Sequence, residues 1–274
     1  MHNPTRHVSL LALLAVMIGC GGNAGSNPTG APISSAFPSP SPAASPSPTP
    51  FGSLTNVTVI NNVEDSPDWL TCGACGNSGG TGAVAAYSFT VGMPSPGEDG
   101  SSTQFAIAAT VPYTNAYFYR RQTAIAHQIN ALTYEFDFYI PVGMETAPQA
   151  IEFECQQILD GWVYNFSWQA LYPGSLWRIF DYGLKRWDAT PVPFQHFTPG
   201  TWHHILAEYH NDTTAHTVIH DALTVDGTRF LVNITHNAFF SGSGNQFTNA
   251  IQLDSNGTAT PYNISVDQMK ITYQ

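Results

Sequence analysis

Charged residues are scarce in this chain of 274 residues, where Asp, Glu, Lys and Arg together make up only 10%. Lys and Arg number eight against 19 Asp and Glu, which gives a net charge of −11 at pH 7 with neutral histidines. A chain with so few cations has no basic stripe that could neutralise phosphates. The composition therefore excludes a nucleic-acid partner.

Long hydrophobic runs are absent as well. The N-terminal run VSLLALLAVMI has 11 residues, which is too short to span a bilayer as a mature helix. It ends at MIGC, and these four residues resemble the lipobox of bacterial lipoproteins. The resemblance implies a signal peptide over residues 1–19, a lipid on Cys20, and an exported protein anchored at the bacterial outer membrane or cell surface. An ordinary signal peptide cut slightly later is the alternative.

Charge is missing entirely from residues 21–52, which hold eight of the 20 prolines. The tract SPSPAASPSPTP lacks backbone donors at its prolines and lacks side chains that could build a core. We therefore expect residues 20–52 to form a disordered Pro/Ser-rich stalk. Residues 53–274 carry all 19 acidic residues, and their number suits a single all-β domain.

Cysteines number only four, and Cys72 and Cys75 form a C-x-x-C motif in TCGACGNSGGTG. A redox motif needs a helix start that lowers the thiol pKa, and this glycine-rich segment cannot supply one. A structural zinc site usually needs a second cysteine pair, which the chain lacks. We therefore predict a Cys72–Cys75 disulfide, with a bridge from either residue to Cys155 as the alternative.

Helical periodicity is nearly absent after residue 53, and alternating polar and apolar residues recur instead. The strongest pattern is QAIEFECQQILDGWVYNFSWQAL, whose Asp160-Gly161 pair predicts a two-residue hairpin turn. That turn sets Leu159 opposite Trp162 and fixes the register. One face of the hairpin then carries six polar residues, which are Glu152, Glu154, Gln156, Asn165, Ser167 and Gln169. Further turns are predicted at residues 180–183, 211–212 and 225–228.

The stretch YEFDFYI alternates in the same way, with Glu135, Asp137 and Tyr139 on its polar side. Because only PVGMETAP separates it from the hairpin, we expect the three strands to be neighbours in one sheet. Their shared polar face is the predicted ligand-binding groove, made of Glu135, Asp137, Tyr139, Glu152, Glu154, Gln156, Asn165, Ser167 and Gln169. The alternative is that Glu135 and Asp137 line a solvated sheet face and bind nothing.

Three segments of the second half carry a family resemblance: FTPGTWHHILAEYH, DALTVDGTRF and ISVDQMKITY. They resemble the second half of a concanavalin A-like lectin/glucanase domain, a layout shared by LamG-type modules. The resemblance covers residues 195–274, and residues 130–170 through strand pattern alone. It implies an all-β, antiparallel two-sheet β-sandwich or jelly roll with few or no helices, whose concave sheet forms a groove. The superfamily includes lectins, hydrolases, lyases and adhesive modules, so it implies a fold more than a function.

Catalysis in this superfamily depends on carboxylates. Family 16 glucanases carry E-x-D-x-E or E-x-D-x-x-E, and Glu135 and Asp137 match the first two positions. The third acid is missing, because Tyr139 or Ile140 stands there. The catalytic candidates are therefore Glu135, Asp137, Glu152 and Glu154, the last two as replacements for the missing proton donor.

A binding module needs less than an enzyme does: an aromatic platform, with carboxylates and amides that hydrogen-bond hydroxyl groups. Trp177, Tyr182 and Trp187 lie on or near a predicted turn and are the candidate platform. We therefore expect a surface-anchored carbohydrate-binding module without its own catalysis, whose partner is a poly- or oligosaccharide.

Two enzyme classes and a structural role stay open as alternatives. A glycoside hydrolase would use the groove carboxylates. A polysaccharide lyase would use residues such as Tyr139, Arg178 and His196, and we favour it less because an acidic groove repels uronates. A structural envelope or adhesion protein would use neither set.

Metal ligands show no complete pattern. Six of the ten histidines lie between residues 196 and 220, but no carboxylate spacing completes a site with them. The resemblance implies a structural Ca²⁺ ion near the sheet edges, for which Asp254 and Asp267 are possible oxygen ligands. No other cofactor is expected.

Overall fold

The computed structural model describes residue 54 and residues 56–72, 85–122, 125 and 127–274. The predicted signal peptide, the lipidation site at Cys20 and the stalk up to residue 52 lie outside the described residues, and so does Cys75. These expectations, and the Cys72–Cys75 disulfide with them, stay predictions.

The described residues form sixteen β-strands and no helix. In chain order the strands are β1 (Thr58–Ile60), β2 (Leu70–Cys72), β3 (Ala86–Thr90), β4 (Thr103–Ala108), β5 (Asn115–Arg121), β6 (Ala131–Tyr139), β7 (Pro148–Leu159), β8 (Gly161–Leu171), β9 (Leu176–Asp181), β10 (Arg186–Pro193), β11 (Trp202–Asp212), β12 (Thr217–Val225), β13 (Thr228–Asn237), β14 (Phe239–Ser243), β15 (Gln246–Ser255) and β16 (Tyr262–Tyr273). A helix long and apolar enough to cross a membrane does not occur among these residues.

The strands form two eight-stranded sheets. Sheet A has the order β13-β12-β11-β6-β16-β4-β3, with β1 paired to β16. Sheet B has the order β10-β9-β8-β7-β15-β5-β2, with β14 paired to β8. Every pairing is antiparallel. The all-β, antiparallel two-sheet sandwich implied by the concanavalin A-like resemblance is therefore confirmed.

The inward faces of the two sheets pack into one hydrophobic core. Phe136 of β6 in sheet A lies 4.6 Å from Phe153 of β7 in sheet B, measured between ring centroids. Phe166 of β8 and Tyr209 of β11 meet in the same way at 5.1 Å. Each buried aromatic side chain contributes roughly 1.5–3 kcal/mol by leaving water. These contacts hold the sheets face to face, so that their outer faces point in opposite directions.

The hairpin predicted at Asp160-Gly161 is confirmed with its register. Asp160 has φ of 50° and Gly161 has φ of 83°, as the predicted turn requires. The pairing runs from Leu159 with Trp162 to Ala150 with Leu171 without a shift. A side chain at position 161 would also collide with Phe240, whose ring lies 2.8 Å from the Cβ position. Sequence and packing therefore specify the same turn.

The predicted turn at residues 211–212 is wrong by a few positions. Asn211 and Asp212 still belong to β11, and β12 begins at Thr217. The Asp212 carboxylate accepts the backbone N–H groups of Thr214 and Ala215 at 2.8 and 2.9 Å. Asp212 therefore starts the turn from the end of the strand, because its side chain satisfies the turn's own donors.

The strand of YEFDFYI does not neighbour the hairpin, and the single predicted groove is wrong. β6 lies in sheet A between β11 and β16, whereas β7 and β8 lie in sheet B. The eight residues 140–147 cross from one sheet to the other. Sheets in a sandwich stand only about 10 Å apart, so a connection of this length reaches either destination.

This crossing divides the nine predicted groove residues between two surfaces. We call the outer surface of sheet A that carries Glu135, Asp137 and Tyr139 face A. We call the outer surface of sheet B face B; it carries Glu152, Glu154, Gln156, Asn165, Ser167 and Gln169. The two faces lie on opposite sides of the core.

Cys155 lies in the core and is a free thiol. It points inward from β7 beside Phe166, its partner on β8. Burial raises the pKa of this thiol well above its usual value. The alternative bridge from Cys72 or Cys75 to Cys155 is therefore wrong.

Candidate functional site

Face B has a floor of polar side chains on three adjacent strands, β8, β7 and β15. Cross-strand partners share a face, so each row of the floor is read from the pairing. One row holds Gln169, Glu152 and Gln252, the next holds Ser167, Glu154 and Ala250, and the third holds Asn165, Gln156 and Thr248. The hairpin pattern predicted two of the three strands of this floor, β7 and β8. It did not predict the third strand, β15.

Three carboxyl groups meet on this floor: Glu152, Glu154 and Asp254. Burial, then the charges of Asp254 and Glu154, raise the pKa of Glu152 well above its usual value. Burial likewise raises the pKa of Glu154, and raises that of Asp254 to about 7. Glu152 and Glu154 lie two positions apart on β7, and Asp254 lies on the adjacent strand β15. All three pKa values are therefore shifted in the direction that favours the protonated form, because loss of water disfavours a charged carboxylate.

Amide and hydroxyl donors hold the carboxyl groups in place. Gln169 Nε2 donates to Glu152 Oε1 at 2.8 Å, and the Tyr117 hydroxyl donates to Glu154 Oε2 at 3.3 Å. At the edge of the cluster Gln252 Nε2 donates to an Asp254 oxygen at 2.9 Å. The acids are therefore fixed in position by neighbouring strands.

Other polar atoms of face B have no hydrogen-bond partner among the described residues. These are the amide oxygens of Asn165 and Gln169, the hydroxyl oxygen of Ser167 and the indole Nε1 of Trp187, all buried. Asn165 and Gln169 are each only 5% exposed. A buried polar atom without a partner costs about 1–3 kcal/mol, and native proteins keep few of them. Face B therefore holds two amide acceptors, one hydroxyl group and one indole donor without a partner among the described residues.

Aromatic side chains flank the polar floor on both sides. On β5, Tyr117 and Tyr119 lie with ring centroids 5.7 Å apart and their planes tilted by 30°. On the other side, Phe180 of β9 and Trp187 of β10 are cross-strand partners with centroids 5.2 Å apart. Polar groups between apolar walls are the usual make-up of a ligand site.

The three residues of the predicted aromatic platform lie in different environments. Trp187 lies on face B, and Tyr182 packs against Phe180 at 5.8 Å in the adjoining turn. Trp177 is wrong as a platform residue, because it is 1% exposed and packs in the core, 6.3 Å from Trp168. The strand alternation of β9 turns Trp177 inward.

Face A carries Glu135 and Asp137, but their partners are already present. Lys270 Nζ lies 2.5 Å from Glu135 Oε2, and His204 Nδ1 lies 2.8 Å from Asp137 Oδ1. The side chains of Glu135 and Asp137 are 24% and 18% exposed. This arrangement fits the alternative of a solvated sheet face with paired charges.

Sequence reasoning missed Glu98 on this face. Glu98 lies in the loop between β3 and β4, and its backbone N–H donates to Asp267 Oδ2 at 2.6 Å. Desolvation and a hydrogen bond to Asp137 raise the pKa of Glu98 to about 7, although the residue as a whole stays exposed. The segment GEDGSS has no periodicity that could have placed it on the sheet.

The catalytic sets considered from sequence do not assemble. Glu152 and Glu154 cannot replace the proton donor of Glu135, because they lie on the opposite outer face. The lyase set is divided as well, with Tyr139 on face A and Arg178 on face B beside Gln169. The two calcium candidates are also separated, with Asp254 at the carboxyl cluster of face B and Asp267 on β16 of sheet A.

No protein-family model matches the chain, and no curated protein matches it. Among solved structures the chain is similar to peanut lectin, at 11% identity and a TM-score of 0.45, over 80% of this chain and 98% of that one. It is similar to arcelin-5, a lectin-like defence protein from Phaseolus vulgaris, at 9% identity and 0.42, over 80% and 99%. An alginate lyase in complex with an alginate trisaccharide gives 8% and 0.43, over 74% and 97%.

Proposed function

We propose that the sandwich is a carbohydrate-binding module that holds a glycan on face B. The observation that supports it is the set of buried, unpartnered atoms: the side-chain oxygens of Asn165 and Gln169 and the indole nitrogen of Trp187. A sugar hydroxyl both donates and accepts hydrogen bonds, so it can satisfy the two acceptors and the one donor. The Tyr117–Tyr119 and Phe180–Trp187 pairs supply apolar walls for the sugar ring.

We propose that the glycan is uncharged. A uronic acid would bring another carboxylate to Glu152, Glu154 and Asp254, whose pKa values are already raised, chiefly by burial. The whole chain has a net charge of −11, which adds long-range repulsion. Neutral hexose or pentose polymers avoid both costs.

We propose that binding occurs without cleavage. Retaining glycosidases hold two carboxyl groups about 5–5.5 Å apart, with the reacting sugar between them. Here Glu152, Glu154 and Asp254 lie on adjacent strands and the charges of Glu154 and Asp254 raise the pKa of Glu152, so the acids form one cluster and not two groups on opposite sides of a sugar. The raised pKa values are the one feature that favours a glycoside hydrolase, because a general acid needs such a value. The predicted lipid anchor and stalk would hold the module away from the bacterial envelope.

Affinity gel electrophoresis tests this proposal. Neutral β-glucans, mannans and xylans are compared with alginate and pectin, using the wild type, Asn165→Leu on face B, and Tyr139→Ala on face A as the matched control. We expect at least one neutral glycan to retard the wild type and Tyr139→Ala equally, and to retard Asn165→Leu much less. Thermal unfolding of each variant checks that the fold is retained.

Two outcomes contradict the proposal. Retardation that persists in Asn165→Leu and is lost in Tyr139→Ala would assign the glycan to face A, and a lack of retardation by every neutral glycan would refute carbohydrate binding of this kind. Release of reducing ends from the retarding glycan, lost in Glu152→Gln, would favour the hydrolase instead.

A further inference from the structure

Two aspartates and a histidine meet where the two sheets approach each other at one end of the sandwich. Asp181 ends β9 and Asp188 lies in β10, both in sheet B, whereas His236 lies near the end of β13 in sheet A. Each residue offers one ligand atom, and these three atoms all lie within 4.8 Å of one another. The cluster is separate from the floor of face B, because Asp188 pairs with the core residue Ile179.

His236 is the unusual member of this cluster. Its side chain is only 8% exposed, and its Nδ1 is buried without a hydrogen-bond partner among the described residues. Its Nε2 lies 3.5 Å from Asp188 Oδ2, at the outer limit of a hydrogen-bond distance. Nε2 of this buried imidazole therefore faces a carboxylate without forming a good hydrogen bond, and Nδ1 has no partner among the described residues. Buried polar atoms in native proteins usually have a partner.

Contacts from outside the cluster fix both carboxylates. Asp181 Oδ1 accepts the backbone N–H of Leu184 at 2.9 Å. Asp188 Oδ1 lies 2.8 Å from Nε of Arg186, a side chain that is 61% exposed. Second contacts of this kind orient metal-binding carboxylates in known sites.

We propose that Asp181, Asp188 and His236 bind one divalent first-row transition-metal ion, with Zn²⁺ preferred over Ca²⁺. One imidazole nitrogen and two carboxylate oxygens are a donor set that suits Zn²⁺ and leaves a fourth position for water. Ca²⁺ requires six to eight oxygen ligands, which an imidazole does not supply.

A bound ion would clamp the β9–β10 turn to β13. Asp181 and Asp188 stand on either side of that turn, and Gly183 within it approaches β13 closely, with its Cβ position 3.6 Å from the Asn237 carbonyl oxygen. The turn also carries Tyr182, whose ring centroid lies 5.6 Å from that of Phe239 on β14. The metal would therefore join sheet A to the part of sheet B that carries the Phe180–Trp187 wall.

Isothermal titration calorimetry on the untagged, chelator-treated full chain tests this inference, with Zn²⁺ as the probe and Ca²⁺ in parallel. We expect one Zn²⁺ per chain and a higher melting temperature with Zn²⁺, because ligands that bind only the folded state stabilise it. His236→Gln and Asp181→Asn should each weaken Zn²⁺ binding by about 10–100-fold. Asp181→Asn keeps the acceptor for Leu184, so it tests the charge without removing the turn's hydrogen bond.

The matched control is His204→Gln. His204 also lies between two carboxylates, 2.8 Å from Asp137 and 3.5 Å from Glu135, but it already has a hydrogen bond and is 38% exposed. We expect this variant, and Cys72→Ser/Cys75→Ser, to bind Zn²⁺ as the wild type does. Equal binding by the wild type and His236→Gln would overturn the inference, as would loss of the ion in the cysteine variant alone.

Discussion

Face A and face B carry similar residues but differ in what satisfies them. On face A the charges have partners: Glu135 lies against Lys270, and Glu208 pairs with Arg229. On face B the side-chain oxygens of Asn165 and Gln169 are buried without partners among the described residues. Residue type alone therefore does not distinguish the two faces, because similar acids are paired with cations on face A and are clustered with one another on face B.

Ion pairs and unpartnered buried atoms differ in their effect on stability. An exposed ion pair contributes roughly 0.2–1 kcal/mol, so the ion pairs of face A add little to the free energy of unfolding. An unpartnered buried atom costs about 1–3 kcal/mol, so face B lowers the stability of the unliganded protein. Face A also has buried side-chain oxygens without a partner among the described residues, those of Asn263 and Ser265, so this cost is shared by both faces.

The largest expected difference is in the pH dependence of stability. The folded-state pKa of Asp254 is about 7 against an ordinary 3.8, so the folded state binds more protons between these values. The free energy of unfolding therefore falls as pH rises from about 4 to about 7, by up to about 1.4 kcal/mol per pH unit for one such carboxyl group. Asp254→Asn should make this fall shallower in urea unfolding measured across the same range.

Glu208→Gln on face A is the control for that experiment. It should leave the slope as it is in the wild type, and Glu64 and Glu98, whose pKa values are both raised to about 7, should keep part of the slope in every variant. An identical slope in Asp254→Asn and the wild type would contradict the assigned protonation of face B.

The next largest effect concerns a single donor on face B. Trp187→Phe keeps an aromatic ring and removes the unpartnered Nε1. We expect it to weaken binding of the retarding glycan by about 3–10-fold, the value of one hydrogen bond, with an unchanged melting temperature. Trp202→Phe on face A is the control, and equal weakening by both changes would contradict the assignment.

A smaller effect is expected on stability when an unpartnered acceptor is removed. Asn165→Leu replaces the amide with an apolar group of similar size, so the free energy of unfolding should stay the same or rise by up to about 1 kcal/mol. Urea unfolding measures it. A loss of more than 1 kcal/mol would show that the Asn165 amide is satisfied in the unliganded protein.

The smallest effect is expected on face A. Glu208→Gln removes the exposed pair with Arg229 and should cost about 0.2–1 kcal/mol of unfolding free energy, with glycan binding unchanged. Urea unfolding in low and high salt checks this, since screening should reduce the difference. A larger cost that persists in high salt would mean that face A is not a simple solvated surface.

The local part of the fold could be predicted from the sequence. The Asp160-Gly161 turn and strict alternation determine the register of β7 and β8, and with it the six polar residues of face B. The position of YEFDFYI could not be predicted, because alternation assigns side chains to faces and does not assign a strand to a sheet. Trp177 was assigned to the platform because it lies near a predicted turn, and the sequence did not show that its side chain packs in the core.

Residues brought together by the packing of the two sheets leave no local signal. His236 lies 48 positions after Asp188 in the sequence, yet the two meet because β13 and β10 approach at one end of the sandwich. Asp254 joins the carboxyl cluster of face B, and Tyr117 flanks it, because β15 lies between β7 and β5. Neither arrangement follows from spacing along the chain.

Hydroxyl-radical footprinting with and without the retarding glycan tests the central claim most directly, because both faces carry a half-buried aromatic pair. Trp187 and Tyr119 report on face B, and Trp202 and Tyr139, with ring centroids 5.4 Å apart, report on face A. Binding on face B predicts reduced oxidation of Trp187 and Tyr119 and unchanged oxidation of the other pair. Protection of Trp202 and Tyr139 alone would contradict the account.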